Sequence, residues 1–487
     1  MVWKLLWGRF GRDFATLGKT KKMSRHNLKL IGKIFATGVM SFCGVVSETA
    51  MNVTFPTLMN EFGIGTSTVQ WITTGYLLIL SLVITLSSYL KRNCSQRTLF
   101  LTAISSFIIA TAACCLAPNF TVLLLGRMVQ GVGTGIALPL MYNIILNEAP
   151  KEQIGTFMGV GMLVTAVAPA IGPVLGGVVV DMFGWRYIFL SLIPLLLVSL
   201  ALGWALIGHN VPEEHSRFHF FDYLLIAVGY VTFILALVQA SSAGWISLPV
   251  FLLIACAAAS ILYFAKRTRH ESSPLLRVGV LRYGKFTMAL IAILIAQFSV
   301  LALGYIIPNY SQIANHTNAS LAGMLLVPGC IVGAILSPLS GNILDRTGAK
   351  LPIITGYGFM LASLVLFTVF GNSLSTNMFY IFYVVFTIGQ GLGCASAVTF
   401  CLAQLPENLS ADGNAIVNSF QQLAGAMGTA VASTIVAASQ KAFAQEQFAQ
   451  ATAAGSRNAF FVLMVLFIIA FAVCCLMTRR GTKKSIN

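Results

Sequence analysis

IGKIFATGVMSFCGVVSETAMNVTF, residues 31–55, carries only two formal charges: Lys33 near its start and Glu48 in its middle. A helix of this length spans ~30 Å of hydrocarbon. A carboxylate at such depth is costly, so it faces a cavity or a partner and marks an ion or substrate path.

The same pattern recurs along the chain. Of 487 residues, 57% are apolar and 9% charged, a balance that excludes a soluble globular protein. Fourteen apolar stretches between residues 30 and 478 read as spans, the first at 30–56, the second at 68–90 and the tenth at 319–340. Without water to satisfy backbone amides, spans of this length must be helices. The expected fold is an all-α integral membrane protein: two six-helix bundles plus two extra spans, fourteen transmembrane helices in all, with both termini cytoplasmic.

The net charge of +16 reports topology rather than nucleic-acid binding. Nine Lys and Arg lie between Lys4 and Lys33, and six more in the loop at 266–285, whereas the opposite side holds Arg186, Lys441 and Arg457. Basic residues collect on the cytoplasmic side of a membrane protein. The arm places Trp3, Leu6, Trp7, Phe10 and Phe14 on one helical face, as an interfacial helix does; the alternative is that translation starts at Met23. The resulting organisation is a basic cytoplasmic arm (1–29), an N-terminal six-span bundle (30–208) and an inserted span pair with cytoplasmic loops (209–285). A C-terminal six-span bundle (286–478) and a basic cytoplasmic tail (479–487) complete it.

Ten cysteines show neither CxxC nor Cys/His spacing, so no metal site or disulfide framework is expected. Nucleotide-binding and hydrolase motifs are also missing. No ATP-binding loop means no ATP-driven step within this chain, and an enzyme is not expected.

Two stretches recur. GNILDRTGAK (341–350) lies in a loop equivalent to SSYLKRNCSQ (87–96), and LGRMVQGVGTG (125–135) is echoed by TIGQGLGCASA (387–397). Repeats of this kind place a substrate site near the bilayer midplane, between the halves.

With these motifs assembled, the chain resembles the fourteen-span drug:proton antiporter branch of the major facilitator superfamily from about residue 30 onward. SETAMNVTFP (47–56) matches that branch's first-span signature, with Glu48 at its acidic position. Arg127, Gln130, Gly131 and Gly133 match its Arg-x-x-Gln-Gly-x-Gly motif. Gly172, Pro173, Gly176 and Gly177 match the antiporter motif GxxxGPxxGG, with Ala168 in place of the first glycine. Gly341, Asp345, Arg346, Gly348 and Lys350 match the loop motif GxxxDRxGxK, while Ser87, Lys91 and Cys94 depart from it in the first half. The resemblance implies proton-coupled export of hydrophobic, often monocationic drugs or toxic compounds by alternating access. The setting is a bacterial-type cytoplasmic membrane, with a monomer, no cofactor and the proton gradient as energy source. The alternative on the same machinery is a dedicated exporter of an endogenous metabolite or lipid-like compound. A different class, a non-transporting sensor or scaffold, fits the hydropathy but not the motifs.

Glu48 and Arg127 are the two formal charges at mid-membrane depth. They are read as the pair that couples protons to substrate, against a structural hydrogen bond or a fixed Glu48–Arg127 ion pair. Candidates for an aromatic-lined cavity are Asn52, Trp71, Tyr76, Gln130, Gln297, Tyr305, Asn309, Asn418 and Gln421, the last interchangeable with Gln422. The small face of the fifth span, with Pro169 and Pro173, is expected to let a neighbouring helix approach and slide.

Overall fold

The computed structural model describes residues 25–150, 154–208, 218–243, 247–268, 278–442 and 447–479. The expected interfacial helix at Trp3–Phe14 and the tail beyond Arg479 lie outside the described residues. Every regular element among those described is helical. The long helices are α1 (Arg25–Val53), α2 (Trp71–Thr85), α3 (Gln96–Cys115), α4 (Phe120–Glu148), α5 (Ile154–Phe183) and α6 (Arg186–Leu206), followed by α7 (Phe220–Ala243) and α8 (Leu248–Arg267). Then come α9 (Gly284–Ile313), α10 (Val327–Thr347), α11 (Lys350–Val369), α12 (Thr376–Leu402), α13 (Glu407–Ala442) and α14 (Phe448–Arg479). Among the described residues thirteen helical segments are long and apolar enough to cross a membrane, and α5 adds a shorter apolar stretch, Val167–Phe183.

Three expected spans are interrupted rather than continuous. The first stops at Val53, and a new helix, Phe55–Phe62, starts beyond Thr54 with Pro56 in its first turn. Pro56 has no N–H to give the Asn52 carbonyl, so the ladder breaks there. The second span is three pieces, Thr66–Val69, α2 and Ser87–Asn93, and the tenth begins with the short helix Ala319–Met324 before α10. The loop expected at 341–350 is largely helix instead. α10 continues to Thr347 and ends at Gly348, whose φ of 78° suits a residue without a Cβ.

Helices α1–α6 pack among themselves, as do α9–α14. α7 lies against α8 and α13, which leaves α8 on the periphery. The two bundles meet reciprocally. α2, second in its bundle, packs on α13, fifth in the other; α5 packs on α10 and on Ala319–Met324, which precedes it. α1 and α9, each first in its bundle, touch between these two seams. That near-twofold arrangement turns α1, α5, α9, α10, α12 and α13 toward one central space.

Candidate functional site

The central space is a cavity of about 370 Å³ between the bundles. α1 contributes Val45, Glu48, Thr49 and Asn52, and α5 contributes Pro169 and Pro173. From the second bundle come Gln297 of α9, Cys330 and Ser337 of α10, Tyr383, Thr387, Gln390 and Cys394 of α12, and Gln422 of α13, among others.

Glu48 is the only formally charged side chain in this wall. It is 6% exposed and forms no hydrogen bond or ion pair among the described residues. Its neighbour Ser47 faces the other way, because one step along a helix turns the side chain by about 100°. Ser47 meets Arg127 of α4, whose Nη1 donates to Ser47 Oγ at 2.5 Å and to Gln130 Oε1 at 2.7 Å. Gln130 in turn donates to Thr111 Oγ1 at 2.8 Å. The guanidinium lies over the Tyr76 ring at 4.3 Å, and the Tyr76 hydroxyl donates to Thr134 Oγ1 and to the Gly44 carbonyl. A cation over an aromatic face is stabilised by the ring's quadrupole. Among the described residues Arg127 is thus held without a carboxylate partner, and its Nε and Nη2 have no hydrogen-bond partner. A fixed Glu48–Arg127 ion pair is not formed. Arg127 instead meets Ser47, the residue next to Glu48 on α1.

The expected cavity residues divide. Asn52 and Gln297 line the space; Trp71, Tyr76, Gln130 and Tyr305 do not. Tyr76 and Gln130 serve Arg127 instead, and the Tyr305 ring packs on Phe55 with centroids 5.7 Å apart. Asn418 is exposed and donates back to Asn414, while on α13 it is Gln422 rather than Gln421 that reaches the cavity. The expectation of an aromatic-lined cavity is corrected: among the described residues Tyr383 supplies its one aromatic ring. Tyr76 lies on α2, which does not border the cavity, and Tyr305 on α9, which does; both rings turn into interhelical packing. Gln390 was missed although the repeat contained its signal, since the QGLG at 390–393 stands where QGVG stands at 130–133.

Asn309 has a different task from the one expected. Its Nδ2 donates to the Tyr305 carbonyl at 2.8 Å and to the Asn52 carbonyl at 3.4 Å. One turn on, Gln312 donates to the Val53 carbonyl at 2.9 Å. The amides of α9 therefore serve the carbonyls at the break in α1. Two further polar contacts join the bundles at this same end. Asp181 accepts from the backbone N–H groups of Ala319 and Ser320, capping Ala319–Met324. Thr66 donates to Gln440 Oε1 at 2.6 Å, and Gln440 donates to Thr452. An exposed cluster lies close by, where the Glu61 carboxylate accepts from Arg186 at 2.7 Å and from Trp185 Nε1 at 2.6 Å. Partial burial raises the Glu61 carboxyl, but these hydrogen bonds and the Arg186 charge outweigh it and hold the group below its ordinary value.

The glycines of the fifth span face two different neighbours. A Cβ at Gly172 or Gly176 would run into Thr49 or the Ala50 backbone of α1, within the same bundle. A Cβ at Gly177 would run into the Ala319 carbonyl, and one at Gly323 into the Pro173 carbonyl, across the bundle interface. Pro173 also lines the cavity. In the loop motif, Gly341 has open space around it, Arg346 and Lys350 are exposed, and the Asp345 side chain lies outside the described residues. Among the remaining carboxylates, Asp222 pairs with Arg267 Nε at 2.7 Å in the α7–α8 unit, and Glu148 with Lys33 at 2.7 Å. All ten cysteines are free, and no His/Cys/Asp/Glu cluster among the described residues could hold a metal.

Comparison with known proteins agrees with this geometry. The sequence model of the Major Facilitator Superfamily matches residues 37–429. The lincomycin resistance protein LmrB of Listeria monocytogenes is 33% identical over 456 residues, covering 92% of this chain and 97% of its own. LmrB of Bacillus subtilis is 31% identical over 471 residues, covering 95% and 98%. A multidrug resistance protein B homolog of Mycobacterium tuberculosis is 26% identical over 417 residues, covering 83% and 76%. Among solved structures, the peptide transporter POT in complex with sulfate superposes with a TM-score of 0.67 at 14% identity, covering 92% and 95%. A bacterial homolog of the human lysosomal transporter Spinster, inward-facing and unoccupied, gives 0.65 at 16%, covering 94% and 98%. At these identities the structural likeness speaks for the fold alone.

Proposed function

Because this chain belongs to the Major Facilitator Superfamily, and is a multi-pass membrane transporter rather than an enzyme, we propose that it exports drugs in exchange for protons. The cargo is amphipathic and often monocationic, and the protein works as a monomer without a cofactor. The relatives named for lincomycin and multidrug resistance support drug efflux. The observation that carries proton exchange is Glu48: one unpaired carboxylate in the wall of a cavity between two bundles. Protonated, it holds no cation; ionised, it attracts one. A group that alternates between proton and cargo at one place couples their movements.

Positive-inside charge assigns the end bearing Asp181 and Glu61 to the extracellular side and both termini to the cytoplasm, which fits an even number of spans such as fourteen. On that assignment the inter-bundle contacts of Asp181, Gln312 and Gln440 close the cavity outward. On this reading export requires those contacts to part. The deciding experiment is efflux of a drug and dye panel from a pump-deficient host, with and without a protonophore, for the wild type and Glu48→Gln. Efflux that survives both the protonophore and the substitution would end this reading.

A further inference from the structure

Arg97 stands in the first turn of α3, at the end that positive-inside charge assigns to the cytoplasm. Its guanidinium lies over the Trp204 ring of α6, 4.9 Å from the centroid, and makes no hydrogen bond or ion pair among the described residues. Other arginines are spent within the protein: Arg127 bonds to Ser47 and Gln130, Arg186 pairs with Glu61, and Arg267 with Asp222. Stacking on a ring uses the face of the guanidinium and leaves its N–H donors in the plane, the fork that suits a phosphate.

No carboxylate competes for those donors. The chain has no Asp or Glu between Glu61 and Glu148 and none in α6. Lys91 and Arg92 end the short helix before α3 and add positive charge at this end. Trp204 is 59% exposed, and α3 packs on α4 and α6, so its remaining face meets lipid. On that face Thr98 and Thr102 are exposed one turn apart. Thr98 bonds to Ser95 at the helix cap, whereas the Thr102 hydroxyl has no hydrogen-bond partner among the described residues. Exposed hydroxyls on other spans turn back onto their own helix, as those of Thr355 and Thr399 do. At 1.5 Å per residue Thr102 lies about 7.5 Å deeper than Arg97. The headgroup layer is roughly 5–8 Å thick on each side, so Thr102 sits at its base, where the ester carbonyls of a phospholipid hang below the phosphate.

We propose that the groove between α3 and α6 binds an anionic phospholipid of phosphatidylglycerol type. The phosphodiester accepts from the Arg97 guanidinium beside Trp204, and the Thr102 hydroxyl donates to an ester carbonyl. A zwitterionic lipid carries the same phosphate, but its ammonium finds the like charges of Lys91 and Arg92 in place of a carboxylate. The site is separate from cargo and proton exchange, since neither Arg97 nor Trp204 lines the cavity.

The test is native mass spectrometry of the purified full chain in detergent micelles. The probes are dioleoyl phosphatidylglycerol, dioleoyl phosphatidylcholine and inorganic phosphate. One phosphatidylglycerol should bind saturably and more tightly than phosphatidylcholine, and inorganic phosphate should not displace it. Arg97→Gln should weaken that binding roughly tenfold, the worth of a hydrogen bond to a charged group, and Arg97→Lys should lose less. Thr102→Val should weaken it about threefold, within the range of one neutral hydrogen bond. Lys350→Gln, which removes an exposed cation from the other bundle, should leave it unchanged. Unaltered melting temperatures would show that the variants are folded. Equal binding of the two lipids, or equal loss in Lys350→Gln and Arg97→Gln, would mean unspecific attraction to basic charge and overturn the proposal. Displacement by inorganic phosphate would make the groove a site for free anions and overturn it as well.

Discussion

Gly176 and Gly177 are adjacent in sequence, yet an alanine at each should do different things. At Gly177 a Cβ would meet the Ala319 carbonyl oxygen and lie 2.8 Å from Ser320 Cα. Carbon atoms in contact prefer about 3.5–4.0 Å, and these neighbours are backbone, which cannot rotate aside. The contact spans the two bundles, so the proposed alternating access must break it once per cycle. Overpacking costs about 1–3 kcal/mol. Charged to the closed state alone, that shifts the closed–open equilibrium toward open about 5- to 150-fold. At Gly176 the Cβ would lie 2.6 Å from the Ala50 carbonyl oxygen and 2.9 Å from Ala50 Cα, within one bundle. That clash persists in both states, so it should lower stability without favouring either. The assay is the distance distribution between spin labels at Asn60 and Asn372, exposed residues on the two bundles at the Asp181 end, after replacing the ten native cysteines. Gly177→Ala should populate a longer distance, and Gly176→Ala should leave the distribution unchanged while lowering the melting temperature. Identical distributions for the two variants would refute the division into a moving and a fixed contact.

Other outcomes follow from the same geometry. Glu48→Gln should insert and fold normally but lose efflux driven by a pH gradient; wild-type rates at equal expression would rule out Glu48 as the exchanging group. Arg127→Lys keeps the charge but not the planar fork that reaches both Ser47 and Gln130. It should retain substrate binding and impair coupled efflux, and normal transport by Arg127→Ala would remove Arg127 from the mechanism. Exchange of one proton for one monocation moves no net charge, so a dication would leave against the membrane potential, worth ~2.3 kcal/mol per charge per 100 mV. Divalent dyes should therefore be exported poorly from energised vesicles; efficient export would require a second proton site, and Asp222, already paired with Arg267, is badly placed to be one. The Glu61 carboxyl is held below its ordinary value of 4.5, so its bridge to Arg186 and Trp185 is intact above that pH and is lost as pH falls below it. Trp185 fluorescence should change over that acid range in the wild type and not in Glu61→Gln.

Helices, burial and the depth of Glu48 were readable because each follows from a single rule of solvation in hydrocarbon. The breaks were partly readable, since Pro56 and Pro328 sit in the first turns of the helices that follow them. Side-chain direction was not. Periodicity places Ser47 and Glu48 on different faces of α1, but which face meets α4 depends on how the helices pack. Tyr76, Gln130 and Asn309 are polar residues at the right depth that the structure spends on Arg127 and on the α1 carbonyls. Gly172, Gly176 and Gly177 read as one small face, whereas only the three-dimensional neighbours separate the α1 contact from the inter-bundle contact.

In the proposed exchange one carboxylate suffices for coupling, because of the charges in and around the cavity. Arg127 is buried behind α1, held by Ser47 and Gln130, and does not line the cavity. The variable charge is Glu48 alone. With a proton bound the cavity wall is neutral, and with a monocation bound it is neutral again. Without either, closing the cavity would seal a bare carboxylate away from water, which costs several kcal/mol even after the protein relaxes. Gln297, Gln390 and Gln422 can solvate such a charge only in part, because they lie on the other bundle, which the proposed cycle moves relative to Glu48. The empty ionised carrier is thus the species least able to pass through the occluded state, and the two neutral ones pass most easily. Exchange without slippage then needs no second charge in the wall: the barrier against cycling empty is the desolvation of Glu48 itself.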